Sequence, residues 1–311
     1  MALIAELSKL HPGPPIALTI GVFDGVHRGH QALITHAVQR AQALGGQSAA
    51  ITFHPHPRAV LAPDTVFYDL TSLDERLALI AQLGVNIVIP LAFTLELSRL
   101  SPEEFLDLVQ EHLNLRELWV GPDFALGYRR AGTVPRLSEL GAERGFSVGT
   151  VPPVAVAGGR VSSSRVRDVI VAGDVEQARL LLGRLVRLEG VVVAGVGRGR
   201  RLGFPTANLA LTSNYLLPAN GIYAVYAELG GNLLPAVANI GVRPTFGGNE
   251  RLVEVYILDF DREIYGWRLR VHLIKRLREE MRFAAVADLV ARMERDVSEA
   301  RAVFAAEGSV A

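Results

Sequence analysis

IALTIGVFDGVHRGHQALITHA occupies residues 16–37. It opens as an apolar, branched run over 16–23, bends through a turn containing Gly25 and Gly29, and continues as a helical pattern over 29–44. A strand, a tight turn and a helix in that order form the opening half of a parallel strand–helix–strand unit. The turn therefore falls at the carboxyl edge of a sheet, where open α/β folds bind their ligands.

Outward from this stretch the alternation continues. SAAITF (48–53), VNIVIPL (85–91), ELWVG (117–121) and FSVGTV (146–151) read as further strands. Helical stretches separate them: 73–83, opened by Asp74 and Glu75; 102–113, opened by Pro102 with Ser101 as cap; and 136–145. The first half is thus expected to be a Rossmann-like α/β layer with a parallel sheet. After the helical stretch 173–183 the texture changes. VRLEGVVVAGV, GIYAVYAEL, LLPAVANIGV, LVEVYILDF and WRLRVHLIK follow one another with only Gly, Asn and Pro between, which predicts an antiparallel sheet closed into a small barrel. Phe283, Val286, Val290, Met293, Val297, Ala300 and Phe304 then recur at spacings of 3 and 4, the stripe of one helix packed on its own barrel. Two domains are expected, 1–182 and 183–311.

Composition narrows the chemistry. The 311 residues carry 32 Lys+Arg against 32 Asp+Glu and no cysteine. Zero net charge argues against a nucleic-acid-binding coat. The missing cysteines exclude disulfides, thiolate metal sites and cysteine nucleophiles. The opening MALIAELSKLHPGPP is not a secretory signal, and no apolar run reaches membrane-spanning length, so a soluble, cytoplasmic protein is expected. Oligomeric state is not legible.

Gly21-Val22-Phe23-Asp24-Gly25-Val26-His27-Arg28-Gly29-His30 is the first chemical constellation. His27 and His30, three apart at a helix start, can point the same way, and the backbone N–H groups there favour anions. Two imidazoles facing one phosphate would stabilise charge developing at phosphorus during nucleotidyl transfer. The same residues also fit a plain Gly-rich surface turn. A zinc reading of His27, His30, His36, His54 and His56 lacks an accompanying carboxylate in an obvious ligand geometry. Ser162, Ser163 and Ser164 cap a second helix start, which with Arg167 could hold a polyphosphate tail.

The second constellation is Gly197-Arg198-Gly199-Arg200-Arg201-Leu202-Gly203-Phe204-Pro205-Thr206-Ala207-Asn208. Leu202 breaks a dinucleotide fingerprint, and no P-loop pattern occurs in the chain. What remains is a cationic loop whose glycine N–H groups can cradle phosphates, with Thr206 and Asn208 as hard oxygen donors suited to Mg²⁺ on ATP.

The H-x-G-H turn together with TFHPHPR (52–58) resembles the prokaryotic bifunctional riboflavin kinase/FAD synthetase family. The likeness extends through VGPDFALGYRRAG (120–132), with Leu126 where the family has Phe, and VSSSRVR (161–167), with Ser164 in place of Thr. It continues through GRRLGFPTAN (199–208), PANGIYAV (218–225), ANIGVRPTF (238–246), VEVYILDF (253–260) and DREIYG (261–266), with Tyr256 where many relatives carry His. Arg278, Glu280, Arg282 and Phe283 are similar to the family's helix start after the last strand. The resemblance implies riboflavin phosphorylation to FMN by the second domain and adenylylation of FMN to FAD by the first, with ATP and Mg²⁺. It implies His27 and His30 as catalytic groups of the first domain, with Gly21, Phe23, Asp24, Gly29, Ser162–Ser164 and Arg167 at ATP. In the second domain it implies Glu254 as catalytic base, Gly199, Arg200, Gly203, Thr206 and Asn208 at ATP, and Thr206 and Asn208 at the metal. Arg58, Asp123, Phe124, Asn239 and Arg278 are implied at flavin. Two rival readings stand beside it: a flavin-binding regulator with one silent domain, and a nucleotidyltransferase for a different alcohol phosphate.

Overall fold

The computed structural model describes residues 7, 11–195, 197–245 and 248–308. Most of the opening stretch 1–10, Val196 at the end of the first barrel run, and Phe246 of the ANIGVRPTF loop lie outside the described residues. The chain divides into two compact units, 1–163 and 164–311.

In the first unit, β1 (Ile16–Gly21), α1 (Arg28–Ala43), β2 (Gln47–His54), α2 (Leu73–Gln82), β3 (Ile87–Ala92), α3 (Pro102–His112), β4 (Leu115–Val120), α4 (Val134–Arg144) and β5 (Ser147–Thr150) alternate as expected. The sheet runs β3-β2-β1-β4-β5 and every pair is parallel. From β1 the chain winds outward to β2 and β3, then returns to the other side for β4 and β5. The strand order therefore reverses between β1 and β4, and a crevice opens beyond their carboxyl ends. Both faces of the strands are buried: Leu18, Ile51 and Leu118 pack with Leu106 and Leu137, while Ala50 packs with Phe23, Ile34 and Ile80. That double burial is why these strands read as apolar runs rather than alternations. Ser101 and Glu104 cap each other reciprocally at the start of α3, with Pro102 in its first turn.

Helices α5 (Ser163–Val171) and α6 (Val175–Leu182) precede the barrel. The contact boundary at Ser163/Ser164 lies ahead of the 182/183 division expected from texture, because α6 is tied to barrel and terminal helix through Glu176–Lys275 (3.7 Å) and Arg179–Glu307 (2.8 Å). The barrel strands are β6 (Val186–Val193), β7 (Ala207–Leu211), β8 (Gly221–Leu229), β9 (Asn232–Thr245), β10 (Gly248–Ile257) and β11 (Arg268–Arg278). They close in the order β6-β7-β10-β9-β8-β11 with every pair antiparallel. Tyr223, Val225, Val253, Val255, Val271 and Leu273 fill the interior. Strand β7 was hidden in the sequence, since only five residues of it follow the Gly/Arg loop.

The terminal helix α7 (Val286–Ala306) packs against β8, β9 and β11, with Phe304 against Tyr226 at 5.3 Å between ring centroids. The expected stripe needs correction at its start: Phe283 precedes the helix and Val286 is exposed. Arg278 ends strand β11 rather than starting a helix.

Candidate active sites

The first site grows from the turn after β1. Phe23 and Val26 adopt left-handed backbone (φ 50° and 37°), a conformation costly for bulky residues and common where a turn is shaped for a ligand. His27 then caps α1: its Nδ1 accepts the backbone N–H of His30 at 3.2 Å, which places the proton of a neutral His27 on Nε2. The two imidazoles stack with centroids 3.6 Å apart, and Phe23 meets His30 edge-on at 5.3 Å. Glycine is required beside them. A Cβ on Gly29 would lie 3.2 Å from the His27 ring, and one on Gly21 would lie 2.8 Å from Phe23. Burial first, then the charges of His27 and Arg76, hold the His30 imidazole well below its ordinary pKa. His30 Nδ1 is enclosed without a hydrogen-bond partner among the described residues.

His27, His30, Gly21, Phe23, Gly29, Ser162 and Ser163 line one cavity of about 320 Å³, closed on the other side by Gly121–Phe124 after β4. Ser163 Oγ donates to the carbonyl oxygen of Asp24 at 3.3 Å. Asp24 itself departs from the expectation. Its carboxylate turns into the protein, accepts the backbone N–H groups of Leu70 (3.0 Å) and Thr71 (3.3 Å), and faces the fully buried Arg76 at 3.6 Å. An anion held that way would repel a phosphate, so Asp24 braces the turn. Ser164 and Arg167 stand on α5 beyond the boundary of the first unit.

Gly21, Asp123 and Phe124 also line a second, larger cavity of about 610 Å³, walled by Phe53, Phe93, Phe105 and Leu126, with Arg58 at it. Asp123 pairs with Arg160 at 2.5 Å. The sequence reading did not single out Arg160, which lines the histidine cavity and lies next to VSSSRVR in the chain; Tyr128–Arg130 of the VGPDFALGYRRAG segment line the larger cavity. His36 instead packs on Trp119 and His56 on Phe67, and among the described residues no group of three or more His, Asp or Glu side chains could hold a metal ion.

The second site lies on the barrel's outer face. Because successive strand residues alternate sides, burial of Val253 and Val255 sends Glu254 outward. The ladder sets Asn208 of β7 and Asn239 of β9 on either side of Glu254. Asn239 Nδ2 donates to Glu254 Oε2 at 3.4 Å, and Asn239 Oδ1 is enclosed without a partner among the described residues. A Cβ on Gly199 would collide with the Phe204 carbonyl, and one on Gly195 with the Asn208 amide, so the glycines let the loop fold back tightly.

Two cavities meet here as well. One of about 370 Å³ is lined by Gly195, Gly197, Arg200 and the segment 260–265. The other, about 520 Å³, is lined by Gly199, Phe204, Asn239, Tyr256, Arg278 and residues of α7. Thr206, Asn208 and Glu254 belong to both. Gly203 lines neither and instead turns the loop with φ 86°. Tyr256 packs edge-on against Phe204 at 5.4 Å. Arg278 is committed elsewhere: its Nε and Nη2 donate to Asp296 of α7 at 2.8 and 2.6 Å. The wall contributed by α7 was not foreseen, because the sequence stripe assigned that face to barrel packing alone.

A parallel-sheet unit with a histidine cavity at its switch point, followed by a barrel whose carboxylate faces two cavities, defines a two-domain nucleotide-dependent transferase. The comparisons specify it. A FAD synthetase family model matches residues 11–165 and a riboflavin kinase family model matches residues 182–304. The chain is 40% identical over 308 residues to a bifunctional riboflavin kinase/FMN adenylyltransferase from Pseudomonas fluorescens, covering 98% of both proteins. It is 39% identical to the protein of that name from Listeria monocytogenes, covering 93% of this chain and 92% of the relative. The chain belongs to the bifunctional riboflavin kinase/FMN adenylyltransferase family. A solved structure described as a macrolide-efflux protein from Streptococcus pneumoniae shares the fold, with a TM-score of 0.88, 31% identity and coverage of 95% of this chain and 97% of that one. Among the described residues no helix is long and apolar enough to cross a membrane.

Proposed function

We propose that this protein makes FMN from riboflavin in its barrel unit and FAD from FMN in its parallel-sheet unit, each with its own ATP, in the cytoplasm where ATP is supplied. The observation that carries the reading is the pairing of cavities: in each unit two pockets share a wall, and transfer needs two substrates meeting at one atom.

In the barrel, riboflavin occupies the larger cavity and ATP the smaller. Glu254, on the shared wall, accepts the proton of the ribityl 5′-hydroxyl as its oxygen attacks the γ-phosphorus; ADP leaves. Asn239 holds the carboxylate from the side. Thr206 and Asn208 present a hydroxyl and an amide oxygen to both cavities, a hard donor pair that fits Mg²⁺. Bound there, the ion would neutralise charge on the ATP phosphates.

In the sheet unit the flavin ring of FMN fits the aromatic-walled cavity and ATP the histidine cavity. An FMN phosphate oxygen attacks the α-phosphorus of ATP and pyrophosphate leaves, so no base is required. His27 offers its Nε2–H to the charge growing on the phosphoryl oxygens, with His30 beside it. Ser162 and Ser163, which line the same cavity, hold the departing pyrophosphate.

Incubating the full chain with riboflavin, ATP and Mg²⁺ and resolving the flavins chromatographically tests the reading. FMN followed by FAD supports it. FMN that never advances silences the sheet unit, and unconsumed riboflavin silences the barrel.

A further inference from the structure

We infer that the buried Arg278–Asp296 ion pair is a latch holding the terminal helix in place as the apolar wall of the barrel's larger cavity, so that it sets flavin affinity without taking part in phosphoryl transfer. The inference rests on the reading of that cavity as the riboflavin pocket.

Asp296 is 3% exposed, an unusual position for a carboxylate. Its Oδ1 accepts from Arg278 Nε (2.8 Å) and Arg292 Nε (3.0 Å), and its Oδ2 accepts from Arg278 Nη2 (2.6 Å). Arg278 is the last residue of β11 and Asp296 lies midway along α7, so the pair ties barrel to helix directly. The fork from Arg278 is bidentate, which fixes direction as well as distance. One helical turn and two turns before Asp296, Met293 and Leu289 face the same cavity, with Val297 beside them.

This half of the helix has little else to hold it. Val286 is 57% exposed, and the N-cap Ala285 makes no side-chain capping bond. Leu289, Met293 and Val297 are only half-buried, because they border a cavity rather than packed side chains. Beyond Asp296, by contrast, Ala300 is fully buried and Phe304 meets Tyr226. The ion pair therefore sits at the boundary between the part of α7 held by packing and the part that overhangs the pocket. Arg278 and Asp296 are positioning residues: they act through the helix and not on the reacting atoms.

The test uses the full chain carrying Asp296→Asn, Arg278→Lys or, with the ion pair intact, Met293→Ala. Riboflavin Kd is read from quenching of flavin fluorescence, and KM is measured separately for riboflavin and ATP. FAD formation from supplied FMN reports on the other unit. Losing charged hydrogen bonds at the latch should weaken riboflavin about tenfold or more while ATP KM stays within about twofold. Met293→Ala should weaken riboflavin in the same selective way. An unchanged riboflavin Kd, or a parallel rise in ATP KM, overturns the latch. If Asp296→Asn fails to fold, Arg278→Lys and Met293→Ala decide the matter by the same criteria. A wild-type chain that binds riboflavin but forms no FMN sinks the kinase reading, and the latch is then judged on Kd alone. A wild-type chain that binds no riboflavin overturns both.

Discussion

Asn239 and Glu254 face one another across the β9–β10 ladder, with the Asn239 amide nitrogen 3.4 Å from the Glu254 carboxylate. The strand period that buries Val253 and Val255 leaves Glu254 no other direction to point. Glu254→Gln keeps this shape and removes the proton acceptor. FMN formation should fall about 10²–10⁴-fold, while FAD formation from supplied FMN stays within about twofold. Chromatographic rates with each flavin substrate check this; equal loss of both activities in a folded protein contradicts separate sites.

The reciprocal lesion lies in the sheet unit. His30→Ala should cut FAD formation about 10²–10³-fold and spare FMN formation, by loss of a positioned group at the developing charge. Gly29→Ala gives a finer probe. Its Cβ would press on the His27 ring at 3.2 Å, so the ring must tilt and the rate should fall about tenfold or more with the histidine still present. Single-turnover adenylylation measures both; a Gly29→Ala enzyme with the parent rate contradicts the assignment of His27.

Asp24 and Arg76 form a buried pair at 3.6 Å, with Arg76 fully enclosed. Asp24→Ala removes the nearer of the two carboxylates at that guanidinium, leaving Asp69 at 3.8 Å, and frees the backbone donors of Leu70 and Thr71. The sheet unit should lose about 3–5 kcal/mol of stability. Urea denaturation followed by circular dichroism reads the change, and a loss under about 1 kcal/mol would contradict the bracing role.

The folded-state pKa of His30 lies below its ordinary 6.5, chiefly through burial. Below that pH the unfolded chain binds the proton that the folded chain resists. The stability associated with the neutral ring is therefore complete above about 6.5 and is lost as pH falls through the window down to the folded value. His54 shifts in the same direction, from burial and then Arg76. An NMR titration should place the His30 midpoint below 6.5, and His30→Gln should lessen the acid-side loss of stability. A midpoint above 6.5 refutes this.

The alternation of strand and helix patterns, the H-x-G-H turn and the barrel's β-branched runs were readable because local periodicity and turn chemistry are properties of neighbouring residues. The serine cap before 102 and the pairing of His27 with His30 followed from spacing, whereas Glu254 was singled out by the family resemblance. Tertiary structure decided the rest. It put Asp24 against Arg76 rather than at a phosphate, made Asn208, Glu254 and Asn239 neighbours across three strands, and engaged Arg278 with Asp296. Those partners lie 15 to 52 residues apart in the chain, and only the register of strands and the docking of a helix bring them together.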